Sequence, residues 1–540
     1  MNRRDFLRSA SATAVSSGFF LDRAIGQDTK FAVAETSYGK VRGIDNQGIK
    51  TFKGIPYGAS TGGSNRFMPP AEPASWTGVR DALEFGHTAP QRDPEAPPPS
   101  PGALTVSGRN LPAEGEDCLV LNVWTPALND GRKRPVMFWC HGGGFATGSG
   151  SSPDTDGTNL ARRGDVVVVT INHRLNVLGF ADLSEFSRDF VASGDVGMLD
   201  IVQALKWART NIANFGGDPN TVMIFGQSGG GRKVETLLAM PSAKGLFHRA
   251  TVESGAALQV AGREVAIRNA EQLLTKLGVA KADVHELQKL PVERILTAYF
   301  AVVRDERGVD QAVNGFSPAV DGKILPQQPF QPAASPVSAD VPVMIGCTRT
   351  EMTLFSLNDP SAFQLDDDGM RKRVQDLLAG EAPGMIDLYR KLNPGATPSD
   401  LYFLIASDYR YGAPTMKIAE RRAALKKGPL YVYYFRWETP VQGGRLKSPH
   451  TMEIPFAFDN VQISARLTGG GPEAMALAGR VSDAWIAFAR TGNPNTPKLP
   501  HWPAFTAKDH ATMVLDNTSR VVNDPLREQR LAMFRALHLT

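Results

Sequence analysis

The chain has 540 residues and a mass of 58.3 kDa, with 42% hydrophobic residues, 21% charged residues and a formal charge of +4. This is ordinary soluble globular composition, and the lysines and arginines are scattered rather than massed on one element, which leaves no footprint for nucleic acid. No solenoid period repeats, and beyond the N-terminus no segment is long and apolar enough to span a bilayer.

The first residues read differently from the rest. Asn2-Arg3-Arg4-Asp5-Phe6-Leu7-Arg8 sets paired arginines before an apolar pair, small and apolar residues run over 9–21, and Ala24-Ile25-Gly26 offers small residues where a signal peptidase reads. The pattern resembles a twin-arginine export signal. It predicts removal of residues 1–26 and a periplasmic or secreted protein without a membrane anchor. The competing reading, an amphipathic N-terminal helix, has few helix formers to support it. Residues 27–540 read as a single α/β domain. Cys118, Cys140 and Cys347 are the only cysteines, too odd and sparse a set for a disulfide framework. Twin-arginine export moves folded proteins, so folding in a reducing cytosol agrees with that count.

From Phe31 onward, strand-like and helical stretches are mixed. The stretch 91–112 is rich in Pro and Ser and reads as a long surface loop. Short apolar runs over 136–140 and 222–225, and a β-branched run over 166–171, read as strands buried on both faces of a sheet. Residues 198–213 carry Leu199, Val202, Leu205, Trp207 and Ile212 at helical spacing, and 234–240 reads as another helix. Strands alternating with helices predict a mostly parallel sheet covered on both faces.

Gly226-Gln227-Ser228-Gly229-Gly230 falls between the 222–225 run and the following helix. A serine on a tight strand-to-helix turn is held with its oxygen exposed, and glycines two residues to either side let neighbouring chain approach. The helix N-terminus beneath favours negative charge developing on a substrate oxygen. Context carries this reading, because Gly58-Ala59-Ser60-Thr61-Gly62 matches the same pattern; lacking a comparable strand before it, that copy is expected to be a loop. Residues 226–233 also approach a phosphate-binding loop, but Arg232 and Val234 break the required ending.

His141-Gly142-Gly143-Gly144-Phe145 directly follows the 136–140 run. Three successive glycines are costly in conformational entropy unless backbone amides must face something closely. The amides of Gly143, Gly144 and Gly229 are candidates for an oxyanion hole, where losing one donor typically costs ~2.7–4 kcal/mol of transition-state stabilisation.

These segments resemble the type-B carboxylesterases, the cholinesterase-like branch of the α/β-hydrolase fold. The resemblance runs through Phe52-Lys53-Gly54-Ile55-Pro56-Tyr57, Glu116-Asp117-Cys118-Leu119-Val120-Leu121-Asn122-Val123-Trp124, Asn211-Ile212-Ala213-Asn214-Phe215-Gly216-Gly217-Asp218-Pro219 and Phe488-Ala489-Arg490-Thr491-Gly492-Asn493-Pro494. It implies an α/β-hydrolase fold and a serine esterase that works through an acyl-enzyme. Ser228 is then the nucleophile, Glu351 the catalytic acid, and His450, ahead of Glu453-Ile454-Pro455-Phe456, the base. The order Ser, acid, His is that of the fold. Asp321 and Asp340 compete with Glu351, and Glu453 lies near His450 on the same local element. The other histidines, including His141 in the glycine turn and His173 at a strand end, read as structural or solvent-facing.

The chain also departs from the family. Gln227 stands where Glu is usual, Gly229 where Ala is usual, and Thr451 where Gly often follows the histidine. Ala89 lies near the place of the cysteine expected to pair with Cys118, so the family's early disulfide should be missing. No Trp occurs between Trp76 and Trp124, which gives no support for a cholinesterase's aromatic platform. The expected substrate is a small-molecule ester, with no metal or organic cofactor. The same triad also serves amides, thioesters and carbamates, and a non-catalytic binding relative is the alternative from another class. Arg232, four residues after the serine, is placed to meet an acidic substrate, although a helical arginine more often reaches solvent.

Overall fold

The computed structural model describes residues 30–96, 111–305 and 314–539. The export pattern over 1–26 and the middle of the Pro- and Ser-rich stretch lie outside the described residues. The strands are β1 (Lys30–Thr36), β2 (Gly39–Asn46), β3 (Ile49–Pro56), β4 (Val79–Asp81), β5 (Val120–Thr125), β6 (Arg134–Cys140), β7 (Val167–Ile171), β8 (Gly217–Gln227), β9 (Arg249–Glu253), β10 (Val343–Thr348), β11 (Leu430–Phe435), β12 (Ala511–Leu515) and β13 (Arg520–Asn523). They form one sheet in the order β1-β2-β3-β5-β7-β6-β8-β9-β10-β11-β12-β13, with β4 beside β2. Pairing is parallel from β7 through β12 and antiparallel at both flanks, apart from the short parallel pair of β2 and β4.

The apolar runs are continuous because the central strands are covered twice. Along β6, Val136, Phe138 and Cys140 enter one core while Met137 and Trp139 enter the other. Val222 and Ile224 of β8 likewise oppose Met223 and Phe225. Helix α1 (Val196–Asn211) packs Met198, Ile201 and Leu205 into the first core. Fully burying one such side chain contributes about 1.5–3 kcal/mol.

Six further helices matter for the site and its surroundings: α2 (Gly229–Leu237), α3 (Asp367–Leu378), α4 (Ala382–Leu392), α5 (Pro398–Ser407), α6 (Glu453–Ala457) and α7 (Pro472–Thr491). Helix α7 presents Leu477, Val481, Trp485 and Phe488 to the second core. It starts on Pro472, whose fixed φ suits a first helical turn, and stops at Gly492, which takes φ +75°. A third core gathers α3, α4 and α5 with the C-terminal helix α8 (Arg527–Ala536) around Met370, Ile386, Leu401 and Phe534. Among the described residues no helix is long and apolar enough to cross a membrane.

Among the expected boundaries that move, two bear on the site. Strand β8 extends from both ends of the 222–225 run, and the helix expected over 234–240 begins at Gly229 and ends at Leu237. Glycine is a poor helix former, so propensity places the helix start too late. Packing overrides it: a Cβ at Gly230 would stand 2.0 Å from the Cys140 carbonyl oxygen, and one at Gly231 2.8 Å from Gly255 Cα.

Candidate active site

The chemistry-bearing residues sit just beyond the C-terminal ends of neighbouring parallel strands, where open α/β sheets place their ligands. Strand β6 delivers the glycine turn, β8 delivers Ser228, β9 delivers Ser254, and β10 leads to Glu351. The segment after β11 returns His450.

Ser228 has φ +59° and ψ −123°, a strained conformation for a residue with a side chain. Its N–H donates to the Glu253 carbonyl at 2.8 Å, and its own carbonyl accepts from Arg232 N–H at 3.0 Å. The turn is thus fixed from both sides, while Ser228 itself stays half-buried and reachable. The flanking glycines are required by backbone rather than by side chains. A Cβ at Gly226 would lie 2.6 Å from the Cys140 carbonyl oxygen.

The glycine turn crosses over this elbow. A Cβ at Gly142 would come within 3.6 Å of Ser228 Cβ, and one at Gly229 would fall 2.3 Å from Gly144 N. Gly143 and Gly144 take φ +89° and +64°, values an L side chain resists. The amides of Gly143, Gly144 and Gly229 donate to no acceptor among the described residues. The departure from the family's usual alanine at Gly229 is now explained, since the space that a methyl group there would need holds the Gly144 backbone.

Glu351 and His450 are both buried, and the carboxylate Oε2 of Glu351 meets His450 Nδ1 in a short contact. Oε1 of Glu351 accepts from Thr348 N–H at 2.7 Å. With Nδ1 held by the carboxylate, Nε2 is left as the acceptor; the Gln227 amide nitrogen lies 3.2 Å from it. Ser228 Oγ makes no hydrogen bond among the described residues, a looseness common in sites before substrate arrives. The rings of Phe355 and Tyr411 each lie 4.9 Å from the imidazole, and Phe355 is 54% exposed, so the pair walls one side of the approach. The rival acids stand elsewhere: Asp321 caps a turn through Lys323 N–H and Leu325 N–H, and Asp340 is exposed.

Glu453 does not touch His450; it joins a buried carboxylate chain that sequence reasoning missed. Ser254 Oγ lies 2.7 Å from Glu351 Oε1 and 2.6 Å from Glu453 Oε1. One hydroxyl proton serves one acceptor. Burial, with Glu351 and Glu253 adding their charge, holds the Glu453 carboxyl well above the usual range. A protonated Glu453 therefore donates to Ser254 Oγ, whose own proton is left for Glu351 Oε1. Glu253 is pushed up to about 7 by burial, against a hydrogen bond from Trp485 Nε1 at 2.7 Å that favours its charge. The one available signal was Glu253-Ser254-Gly255 at the end of an apolar run, which has no specificity by itself.

Lys233 was also missed. Fully buried on α2, it donates to the His141 carbonyl at 2.8 Å and is pulled down to about 7 by burial. The stacked rings of His141 and His173, 4.9 Å apart, are held well below the usual imidazole range by burial and then by Lys233. These two histidines are structural. Thr451 takes φ +73°, which accounts for the glycine usual there, since a β-branched residue is a true outlier in that region. Arg232 turns inward, its Nε donating to the Gly255 carbonyl at 3.1 Å. The three cysteines are buried free thiols, and Ala89 is buried where the early disulfide partner was expected. No group of three His, Cys, Asp or Glu among the described residues is arranged to hold a metal.

Comparison with known proteins gives consistent matches. Residues 30–534 match the model of the carboxylesterase family. The chain is 35% identical over 507 residues to a para-nitrobenzyl esterase of Bacillus subtilis (strain 168), covering 93% of this chain and 98% of that protein. It is 32% identical over 526 residues to a liver carboxylesterase of Sus scrofa, covering 91% of each. A crystal structure of a Geobacillus stearothermophilus carboxylesterase superposes with a TM-score of 0.80 at 38% identity, covering 93% of this chain and 99% of that one.

Proposed function

The chain belongs to the carboxylesterase family, and from that premise we infer how its residues share the hydrolysis of an ester. It is a serine hydrolase of α/β-hydrolase fold acting on carboxylic esters of small molecules. The amide, carbamate or thioester reading, and the reading as a non-catalytic binding protein, are not favoured beside relatives named as esterases.

In the proposed cycle, Ser228 Oγ attacks the ester carbonyl as His450 Nε2 takes its proton. Glu351 holds the imidazole by Nδ1 and stabilises the imidazolium. The amides of Gly143, Gly144 and Gly229 receive the oxyanion. His450 returns the proton to the departing alcohol, and water then repeats the sequence on the acyl-enzyme. The observation that supports these roles above others is the buried contact between Glu351 and His450 beside a serine at φ +59°. The Gln227 amide nitrogen, 3.2 Å from Nε2, has to give up that ring nitrogen for it to take the Ser228 proton. The test is product partitioning with added methanol: p-nitrophenyl and phenyl esters of one acid should give the same ratio of methyl ester to free acid, as a shared acyl-enzyme demands, and ratios that change with the leaving group would count against it.

We also propose that residues 1–26 direct twin-arginine export, leaving 27–540 as one domain in the periplasm or outside the cell. The paired Arg3-Arg4 before Phe6-Leu7 supports this. Replacing both arginines by lysine should retain the protein in the cytoplasm; undiminished delivery would remove the proposal.

A further inference from the structure

The three amides assigned to the oxyanion come from two elements: Gly143 and Gly144 belong to the turn after β6, and Gly229 opens α2. Their spacing depends on how the turn is held against that helix, and a constellation of this kind tolerates misplacement of only about 0.5 Å. Three successive glycines, two of them at positive φ, supply no stiffness of their own. The hold must come from partners outside them.

The carbonyls of the turn show where it is held. His141 Nδ1 lies 2.8 Å from the Gly142 carbonyl, Thr147 N–H donates to the Gly143 carbonyl at 3.0 Å, and Asn176 N–H donates to that of Phe145 at 2.7 Å. Those partners lie in the turn itself, just beyond it, or after β7. The His141 carbonyl is taken by Lys233 Nζ at 2.8 Å, and among the described residues this is the only hydrogen bond between the turn and α2. The same nitrogen stands 5.9 Å from the centre of the Phe145 ring, within cation–π range, so Lys233 meets the first and last residues of the turn. It is fully buried, and no carboxylate faces it among the described residues. An apolar chain of like length would be easier to bury; the bond to His141 is what the amine adds. We propose that Lys233 is a positioning residue for the oxyanion hole, pinning the glycine turn to α2 so that the amides of Gly143 and Gly144 stay aligned with that of Gly229. This role rests on the part given above to those three amides.

Two ketone inhibitors of the full chain separate this role from plain structural support. Ser228 Oγ adds to the carbonyl carbon of 1,1,1-trifluoro-4-phenylbutan-2-one, its proton passing to His450 and the carbonyl π electrons becoming an oxyanion in the hole. The unfluorinated 4-phenylbutan-2-one binds without that addition. The wild type should prefer the first by about a hundredfold or more. In Lys233→Met this preference should fall about tenfold or more, and kcat for a p-nitrophenyl ester should fall with it by about 10- to 100-fold. KM and the affinity for 4-phenylbutan-2-one should stay within about twofold. Lys233→Gln, which keeps an N–H donor on a shorter stem, should show the same selective loss to a smaller degree. Leu205→Ala, which leaves a cavity in the first core at α1, should lower the thermal midpoint without changing the preference. A wild type without the preference would sink the amide roles and this one together. With the preference present, its survival in both Lys233 variants, a loss shared equally by the two ketones, or an equal loss in Leu205→Ala would overturn the role of Lys233 alone.

Discussion

Two segments of this chain carry the same Gly-x-Ser-x-Gly pattern, and the structure shows that they satisfy it for unrelated reasons. Both follow a strand: Ser60 comes after β3 and Ser228 after β8. The absence of a good strand, expected to separate them in the sequence, is therefore not what separates them. What differs comes next. Ser228 opens the helix α2 with a positive φ and an amide clamped to the Glu253 carbonyl. Ser60 has no such φ, is exposed, and runs into a single 3-10 turn over Gly63–Asn65. Around Gly226 and Gly230 the missing methyls would strike the Cys140 carbonyl, whereas around Gly58 and Gly62 they would meet the side chains of Leu119 and Glu116. Side chains can turn aside; a strand carbonyl cannot. The two copies differ in what backbone demands of them, and only the second is built as an elbow.

The largest expected effect separates the two serines directly. Ser228→Ala should lower kcat for a short p-nitrophenyl ester by about a million-fold, while Ser60→Ala should leave it within twofold; comparable losses at both would break the comparison. Next comes the support that only one copy receives. Glu351→Gln should cost roughly 10,000-fold in kcat because the imidazole loses its orienting charge, and Asp321→Asn should cost nothing measurable in the same assay. The glycines sharpen the contrast further. Gly229→Ala should push the Gly144 turn away and forfeit one oxyanion donor, about 100- to 1,000-fold in kcat. Gly62→Ala, 3.3 Å from a Glu116 carboxylate that Arg66 holds, should leave kcat unchanged and lower the thermal midpoint by a few degrees at most.

The smallest effect concerns stability. Lys233 lies on the helix that Ser228 opens, and burial lowers its amine from the ordinary value to about 7. Between that value and the unfolded one of about 10.4, the unfolded chain binds the extra proton, so this group makes folding more favourable as pH rises. The urea midpoint of the wild type relative to Lys233→Met should therefore climb from about pH 7 to pH 10 and stay flat below pH 7. A constant difference across that range would place the lysine in an ordinary environment.

Much of this was legible in the sequence, and the parts that were not share a cause. Continuous apolar runs announced β6, β7 and β8 because doubly covered strands leave no polar alternation to confuse them. The site residues Ser228, Gly143 and Gly144 were marked by local chain demands, and Glu351 and His450 only by resemblance to the family. The start of α2 was misplaced because three glycines look like a helix breaker until the opposing backbone is seen. The Ser254, Glu453 and Glu253 chain and the buried Lys233 were invisible because each joins residues from distant segments whose types are individually unremarkable. A threonine at a positive φ, as at Thr451, leaves no trace in spacing or composition.

Ester hydrolysis here rests on one hydroxyl becoming a nucleophile, and covalent capture tests that most directly. After one equivalent of a fluorophosphonate, peptide mass spectrometry should find a single adduct per chain, on the peptide carrying Ser228, with ester turnover lost in proportion. A stoichiometric adduct on any other residue, Ser60 included, or turnover that survives complete modification of Ser228, would contradict it.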